Sequence, residues 1–121
     1  MNILMVDDMK TVHTYLKSLI GSEEDWQLGH AYSGEEALEL LDAKSDYDLI
    51  LLDWEMPGMD GLETLEHIQN KWPQIPVIMV TSRNSTQDFQ KVIEKGASEY
   101  VIKPFTKDIL FSKIATVKEV G

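Results

Sequence analysis

Four short apolar runs punctuate the chain: Ile3-Leu4-Met5-Val6, Leu49-Ile50-Leu51-Leu52, Val77-Ile78-Met79-Val80 and Tyr100-Val101-Ile102. Unbroken runs of this length, bounded by polar residues, read as strands of a parallel sheet covered on both faces. A fifth, weaker strand falls around Gln27–Ala31, whose mixed polarity places it at a sheet edge. Between the runs the period becomes helical. Val12, Leu16, Leu19 and Ile20 form one apolar face, and Leu62, Leu65, Ile68 and Trp72 another, ended by Pro73 and Pro76. Ser33 with Glu36 forms a capping box before Ala37, Leu38 and Leu41, and Ser85 with Asp88 another before Phe89, Val92 and Ile93, with Gly96 as the C′ residue. Thr106 caps a last helix carrying Leu110, Ile114 and Val117. Five strand–helix pairs without linker, repeat or low-complexity stretch predict a doubly wound α/β domain with a five-stranded parallel sheet and helices on both faces.

Length sets this at one domain, residues 1–121. The absence of cysteine removes a disulfide scaffold, a thiol nucleophile, an iron–sulfur cluster and a cysteine zinc site. Charge is more informative. The net of −10 is uneven: residues 1–66 carry 16 Asp/Glu against 3 Lys, whereas residues 67–121 carry 5 Asp/Glu against 8 Lys/Arg. Such an acidic half repels a phosphate backbone, so direct nucleic-acid binding is not expected. The opening MNILMVDD has no basic region and only a four-residue apolar run, so neither a signal peptide nor a membrane span is expected, and the location expected is cytoplasmic.

In an open parallel sheet, functional groups gather beyond the carboxyl ends of the strands. The residues directly after the four strong runs are Asp7-Asp8, Asp53, Thr81 and Lys103. Three carboxylates, one hydroxyl and one ammonium thus share one edge. Clustered hard oxygen ligands suit Mg²⁺. A carboxylate beside that metal can attack phosphorus to form an aspartyl phosphate, with the lysine and hydroxyl serving the transferred oxygens.

The segments MVDD, LLDWEMPGMDGL, VIMVTS and GASEYVIKPFT, in this order and on these strands, resemble the receiver domain of bacterial two-component response regulators, most of all the small CheY-like chemotaxis type. The resemblance implies a flavodoxin-like fold with strand order 2-1-3-4-5. It makes Asp53 the phosphoacceptor, Asp8 a direct Mg²⁺ ligand, and Asp7 an acid acting through metal-bound water. Glu55 lends a backbone carbonyl to the metal, for which Mn²⁺ can substitute. Thr81 becomes the hydroxyl that swings toward the phosphoryl group, Lys103 its charge partner before a cis bond to Pro104, and Tyr100 an aromatic switch that turns inward once Thr81 moves.

The function this implies is a phosphorylation-activated switch, not an enzyme turning over an external substrate. A histidine kinase or phosphotransfer domain would supply the phosphoryl group, as would small donors such as acetyl phosphate. A downstream protein would bind the face made by the fourth helix, fifth strand and fifth helix, near Lys91, Lys95 and Lys107. Ser98-Glu99 and Lys113 match the dimer pattern of transcription-factor receivers poorly, so a monomer is expected, with at most a weak dimer on phosphorylation. With no output domain after the fifth helix, a stand-alone regulator is expected; the alternative is the receiver portion of a longer protein.

Other residues add less. His13, His30 and His67 are read as surface or packing residues away from the acidic cluster. Trp54 is expected partly exposed near the metal, and Met56 and Met59 as core filling. Gly61 starts the third helix. Glu55 and Arg83 lie two residues past Asp53 and Thr81, where they either pair over the phosphoryl entrance or remain solvated. A flavodoxin-like cofactor binder requires a phosphate-friendly loop where Asp7-Asp8 stand. An aspartyl-intermediate phosphatase requires an Asp-x-Asp that is missing.

Overall fold

A computed structural model describes residues 1–120, with side chains through residue 118; residue 121 of the expected domain lies outside the described residues. The strands are β1 (Asn2–Val6), β2 (Gln27–Ala31), β3 (Leu49–Asp53), β4 (Val77–Thr81) and β5 (Glu99–Ile102). The helices are α1 (Lys10–Ile20), α2 (Gly34–Ala43), α3 (Gly61–Lys71), α4 (Thr86–Glu94) and α5 (Lys107–Val120). All strand pairs are parallel, in the order β2-β1-β3-β4-β5, as expected.

Every residue of β3 and β4 is buried, because helices cover both faces of the central strands. Alternation then divides each run between two cores. Leu4, Val6, Ile50, Leu52, Val77 and Met79 pack with Ala37, Leu41, Leu65, Ile68 and Val92 of α2, α3 and α4. Ile3, Met5, Leu49, Leu51, Ile78 and Val80 pack with Leu16, Ile20, Leu110, Ile114 and Val117 of α1 and α5. A one-residue slip of any strand would exchange the two sets, so packing fixes the register.

Both outer strands are edges. β2 is partly exposed, as its composition predicts. β5 pairs only with β4, so Tyr100 and Val101 are buried while Ile102 is 47% exposed. Three predicted caps form: Ser33 accepts from the Glu36 N–H, Ser85 from the Asp88 N–H, and Thr106 Oγ1 from the Ile109 N–H. Asp60 supplies a further cap, on α3, that the pattern reading does not assign. The apolar face expected of α4 is corrected. Only Val92 enters the core, whereas Phe89 and Ile93, one turn apart, are 44% and 38% exposed. Phe89 meets only the edge of the Tyr100 ring, 5.7 Å between centroids.

Gly61 positions the first turn of α3 against the end of β3. Its N–H donates to the Trp54 carbonyl at 2.8 Å. A Cβ at this position would overlap the Asp53 carbonyl and the Trp54 Cα, both of them backbone with no room to yield. Gly61→Ala is therefore expected to destabilise by about 2–3 kcal/mol through overpacking. Urea unfolding checks this, and a change within about 0.5 kcal/mol would show that α3 can withdraw from the strand end.

Candidate functional site

The sheet brings Asp7 and Asp8, Asp53, Thr81 and Lys103 to one edge from the ends of β1, β3, β4 and β5. Asp7 and Thr81 are fully buried, Asp53 is 4% exposed, and Asp8 faces solvent. One carboxylate oxygen from each aspartate lies within 4.8 Å of the other two. Lys103 reaches across from the edge strand, its Nζ 2.7 Å from Asp7 Oδ2 and 3.2 Å from Asp53 Oδ1. The bond between Lys103 and Pro104 is cis.

Each carboxylate is held differently. Asp7 Oδ1 accepts from the Met9 N–H at 2.9 Å, which serves an α1 N-terminus that has no side-chain cap, while Asp7 Oδ2 takes the Lys103 ammonium. Asp53 accepts from Lys103 and from the Glu55 backbone N–H. Burial, reinforced by the Asp7 charge, nevertheless raises the Asp53 pKa from its ordinary 3.8 to about 6, against the opposing pull of Lys103 and the Glu55 N–H. Burial works in the other direction on the Lys103 ammonium, yet its bonds and charge interactions with Asp7 and Asp53 prevail and raise its pKa.

On the β4 side, Thr81 Oγ1 accepts from the Arg83 N–H at 3.2 Å. The Arg83 guanidinium pairs with Glu55, lies 3.6 Å from Asp88 Oδ1, and stacks 4.2 Å above the Trp54 ring. The Glu55 hydrogen bond, foremost, raises the Arg83 pKa. Glu55 and Arg83 do pair, with their side chains 52% and 40% exposed. Tyr100 is already turned inward: its side chain is buried and its hydroxyl donates to the Arg83 carbonyl. Desolvation, then the Asp88 charge, raises its pKa.

Two expectations need correction. Trp54 is only 2% exposed, because the aliphatic core lies beneath it and Arg83 covers it. His13 does touch the acidic site. Its ring is buried, Nε2 donates to the Asp7 carbonyl at 2.8 Å, and Nδ1 lies 2.8 Å from Nδ1 of His30. A carbonyl can only accept, so Nε2 carries hydrogen and the facing Nδ1 atoms share one more. Burial, then the neighbouring His13 and Lys17, lowers the His30 pKa. The signal was spacing: position 13 sits one turn into the helix that follows Asp7-Asp8, on its inner face. Tyr15 was likewise missed. Its hydroxyl donates to the Phe105 carbonyl at 2.6 Å, tying α1 to the loop that carries Lys103.

The family model described as the response regulator receiver domain matches residues 3–115. The chain is 34% identical to chemotaxis protein CheY1 of Helicobacter pylori strain J99, covering 97% of this chain and 96% of that protein. It is 32% identical to a chemotaxis protein CheY homolog of Campylobacter jejuni, covering 100% and 95%. Among solved structures it is similar to a CheY-like response regulator receiver domain protein from Methanospirillum hungatei, with a TM-score of 0.87, 28% identity and 98% and 94% of the two chains covered. The chain belongs to the response regulator receiver family, and its fold and motifs place it with the CheY-like receivers of two-component signalling. No helix among the described residues is long and apolar enough to cross a membrane.

The donor set fits a hard divalent cation such as Mg²⁺. All three close ligands are carboxylates, and one ammonium leaves them under-neutralised. The raised Asp53 pKa gives a test. Stability contributed by its protonated form is present below pH 3.8 and lost as pH rises through about 6. Without metal, Asp53→Asn should therefore be about 1–3 kcal/mol more stable than wild type at pH 8, an advantage that closes toward pH 4. Mg²⁺ at a hundredfold excess over Kd should add about 2.7 kcal/mol to the wild type and narrow the gap. Thermal melts in EDTA with the variant clearly less stable at pH 8 would mean that the carboxylates do not crowd one another.

Proposed function

We propose that the chain is a phosphorylation-activated switch of the chemotaxis type in which Asp53 is the phosphoacceptor. A carboxylate oxygen of Asp53 attacks the phosphorus of a kinase phosphohistidine; the P–N bond breaks, and its electron pair leaves with the imidazole. Mg²⁺, when bound, would supply charge neutralisation at the transferring oxygens. Asp8 and Asp53 would hold it directly, with the Glu55 carbonyl, and Asp7 through water. Lys103 provides the fixed positive charge beside the acceptor, and the Thr81 hydroxyl donates to a phosphoryl oxygen. The chain is itself the acceptor and is the molecule changed by the transfer, so we read it as a switch and not as an enzyme turning over an external substrate. The single observation that carries this reading is Lys103 Nζ bridging Asp7 and a nearly buried Asp53 at the end of the central strand.

The output follows from the same placement. Of the seven exposed large hydrophobic side chains among the described residues, Phe89, Ile93, Ile102 and Ile109 lie on α4, β5 and α5. A downstream protein presenting an amphipathic segment fits that face. Electrostatics contribute less than the sequence implies, since Lys95 pairs with Glu66 on α3 and Lys107 reaches Ser22 on the far side of α5.

Incubation with acetyl phosphate and Mg²⁺ should label Asp53, with labelling abolished in Asp53→Asn and by EDTA; intact-mass measurement reads both. Undiminished labelling of the variant would reject the assignment. The phosphoryl lifetime gives a second test. The Glu55–Arg83 pair lies two residues past Asp53 and Thr81, so Glu55→Gln and Arg83→Ala should each change the dephosphorylation rate by about two- to fivefold. The double variant should be non-additive. Strictly additive rates would return the pair to two solvated side chains.

A further inference from the structure

A groove of about 390 Å³ opens beside the acidic site, between α1 and the loop after β5. Val12, Tyr15, Pro104 and Phe105 give it apolar walls, Thr11 and Ser82 lie at its rim, and Lys103 is shared with the carboxylate site. Its two sides are fastened together. The Tyr15 hydroxyl donates to the Phe105 carbonyl at 2.6 Å, and the two rings lie 5.5 Å apart. With its hydroxyl so engaged, Tyr15 offers the groove its ring and not a free polar group.

The groove therefore joins an apolar compartment to Lys103, the residue whose ammonium alone among the described residues touches Asp53. A ligand matching both ends has a phosphate at Lys103 and an apolar group one or two bonds away. We propose that this groove receives the apolar acyl group of small acyl phosphates, so that the protein prefers aromatic acyl phosphates to acetyl phosphate as direct donors. The proposal rests on Asp53 being the phosphoacceptor. Asp53 attacks phosphorus, the P–O bond to the acyl oxygen breaks, and the carboxylate leaves with the bonding pair and no proton transfer. A cavity of about 150 Å³ already takes benzene, so a phenyl ring fits with room for its carboxyl linkage.

The test compares benzoyl phosphate with acetyl phosphate, both with Mg²⁺, by intact-mass labelling of Asp53 across donor concentration. The wild type should half-saturate with benzoyl phosphate at about tenfold lower concentration. The change of the donor ratio from wild type to variant is the readout, because intrinsic donor reactivity is the same for all three proteins. Val12→Ser strips an apolar wall. Thr11→Trp, at an exposed position where folding is not at stake, fills the groove. Both should bring the ratio toward one. A ratio equal in the wild type and both variants would overturn the groove assignment while leaving Asp53 as acceptor. Absence of labelling by either donor would overturn the acceptor reading and the groove with it.

Discussion

Three carboxylates held at one sheet edge, with a single ammonium between two of them, is the condition to which the rest of the molecule is fitted. The parallel order of β1, β3 and β5 makes the gathering unavoidable, because each strand ends at the same edge. Lys103 offsets part of the repulsion by bridging Asp7 and Asp53, but the raised Asp53 pKa shows that burial and the Asp7 charge outweigh it. A site balanced in this way has a standing affinity for further positive charge and for groups that bring their own cation. Gly61 lets α3 press on the Asp53 backbone, and His13 holds the Asp7 peptide from behind.

Connection to the outer surface runs through one residue. The Arg83 N–H is held by the Thr81 hydroxyl, and its carbonyl by the Tyr100 hydroxyl. Under the proposed function, a Thr81 hydroxyl turned toward a phosphoryl oxygen would take the acceptor from the Arg83 N–H, next to the carbonyl that anchors Tyr100. Tyr100 in turn packs against Phe89, which puts the change onto the exposed side of α4. In this structure the Tyr100 ring is already inward.

Much of this was legible in the sequence because it depends on chain order alone. Unbroken apolar runs can be buried on both faces only in a covered parallel sheet, and the residue after each run must then stand at the common edge. That places Asp7, Asp8, Asp53, Thr81 and Lys103 without any knowledge of side-chain direction. What was not legible depends on direction. Phe89 and Ile93 share a helical period with Val92, yet a short helix near the sheet edge has core under one side only. Trp54 follows a buried aspartate and reads as a loop residue, but Arg83, distant in sequence, covers it. His13 lies far from Asp53 in sequence and is joined to the site through a backbone carbonyl, which no residue-type motif encodes. The cap at Asp60 was missed because the pattern reading began the third helix at Gly61 without assigning the residue before it.

The two sides of the site are held by unequal means. On the β1 side, Asp7 is fixed by the Met9 N–H, the Ala31 carbonyl, His13 and Lys103, bonds that are buried or partly buried and shielded from water. On the β4 side, the loop between Thr81 and α4 is held by Arg83 pairs with Glu55 and Asp88, and the Glu55 side chain is 52% exposed. Exposed pairs of this kind contribute about 0–1 kcal/mol, whereas a buried group deprived of its partner loses about 1–3 kcal/mol. A charge added at Asp53 therefore meets a stiff wall toward α1 and a compliant one toward α4. Under the proposed switch, displacement would follow the compliant side, with α4 and β5 carrying the difference while α1 keeps its shape.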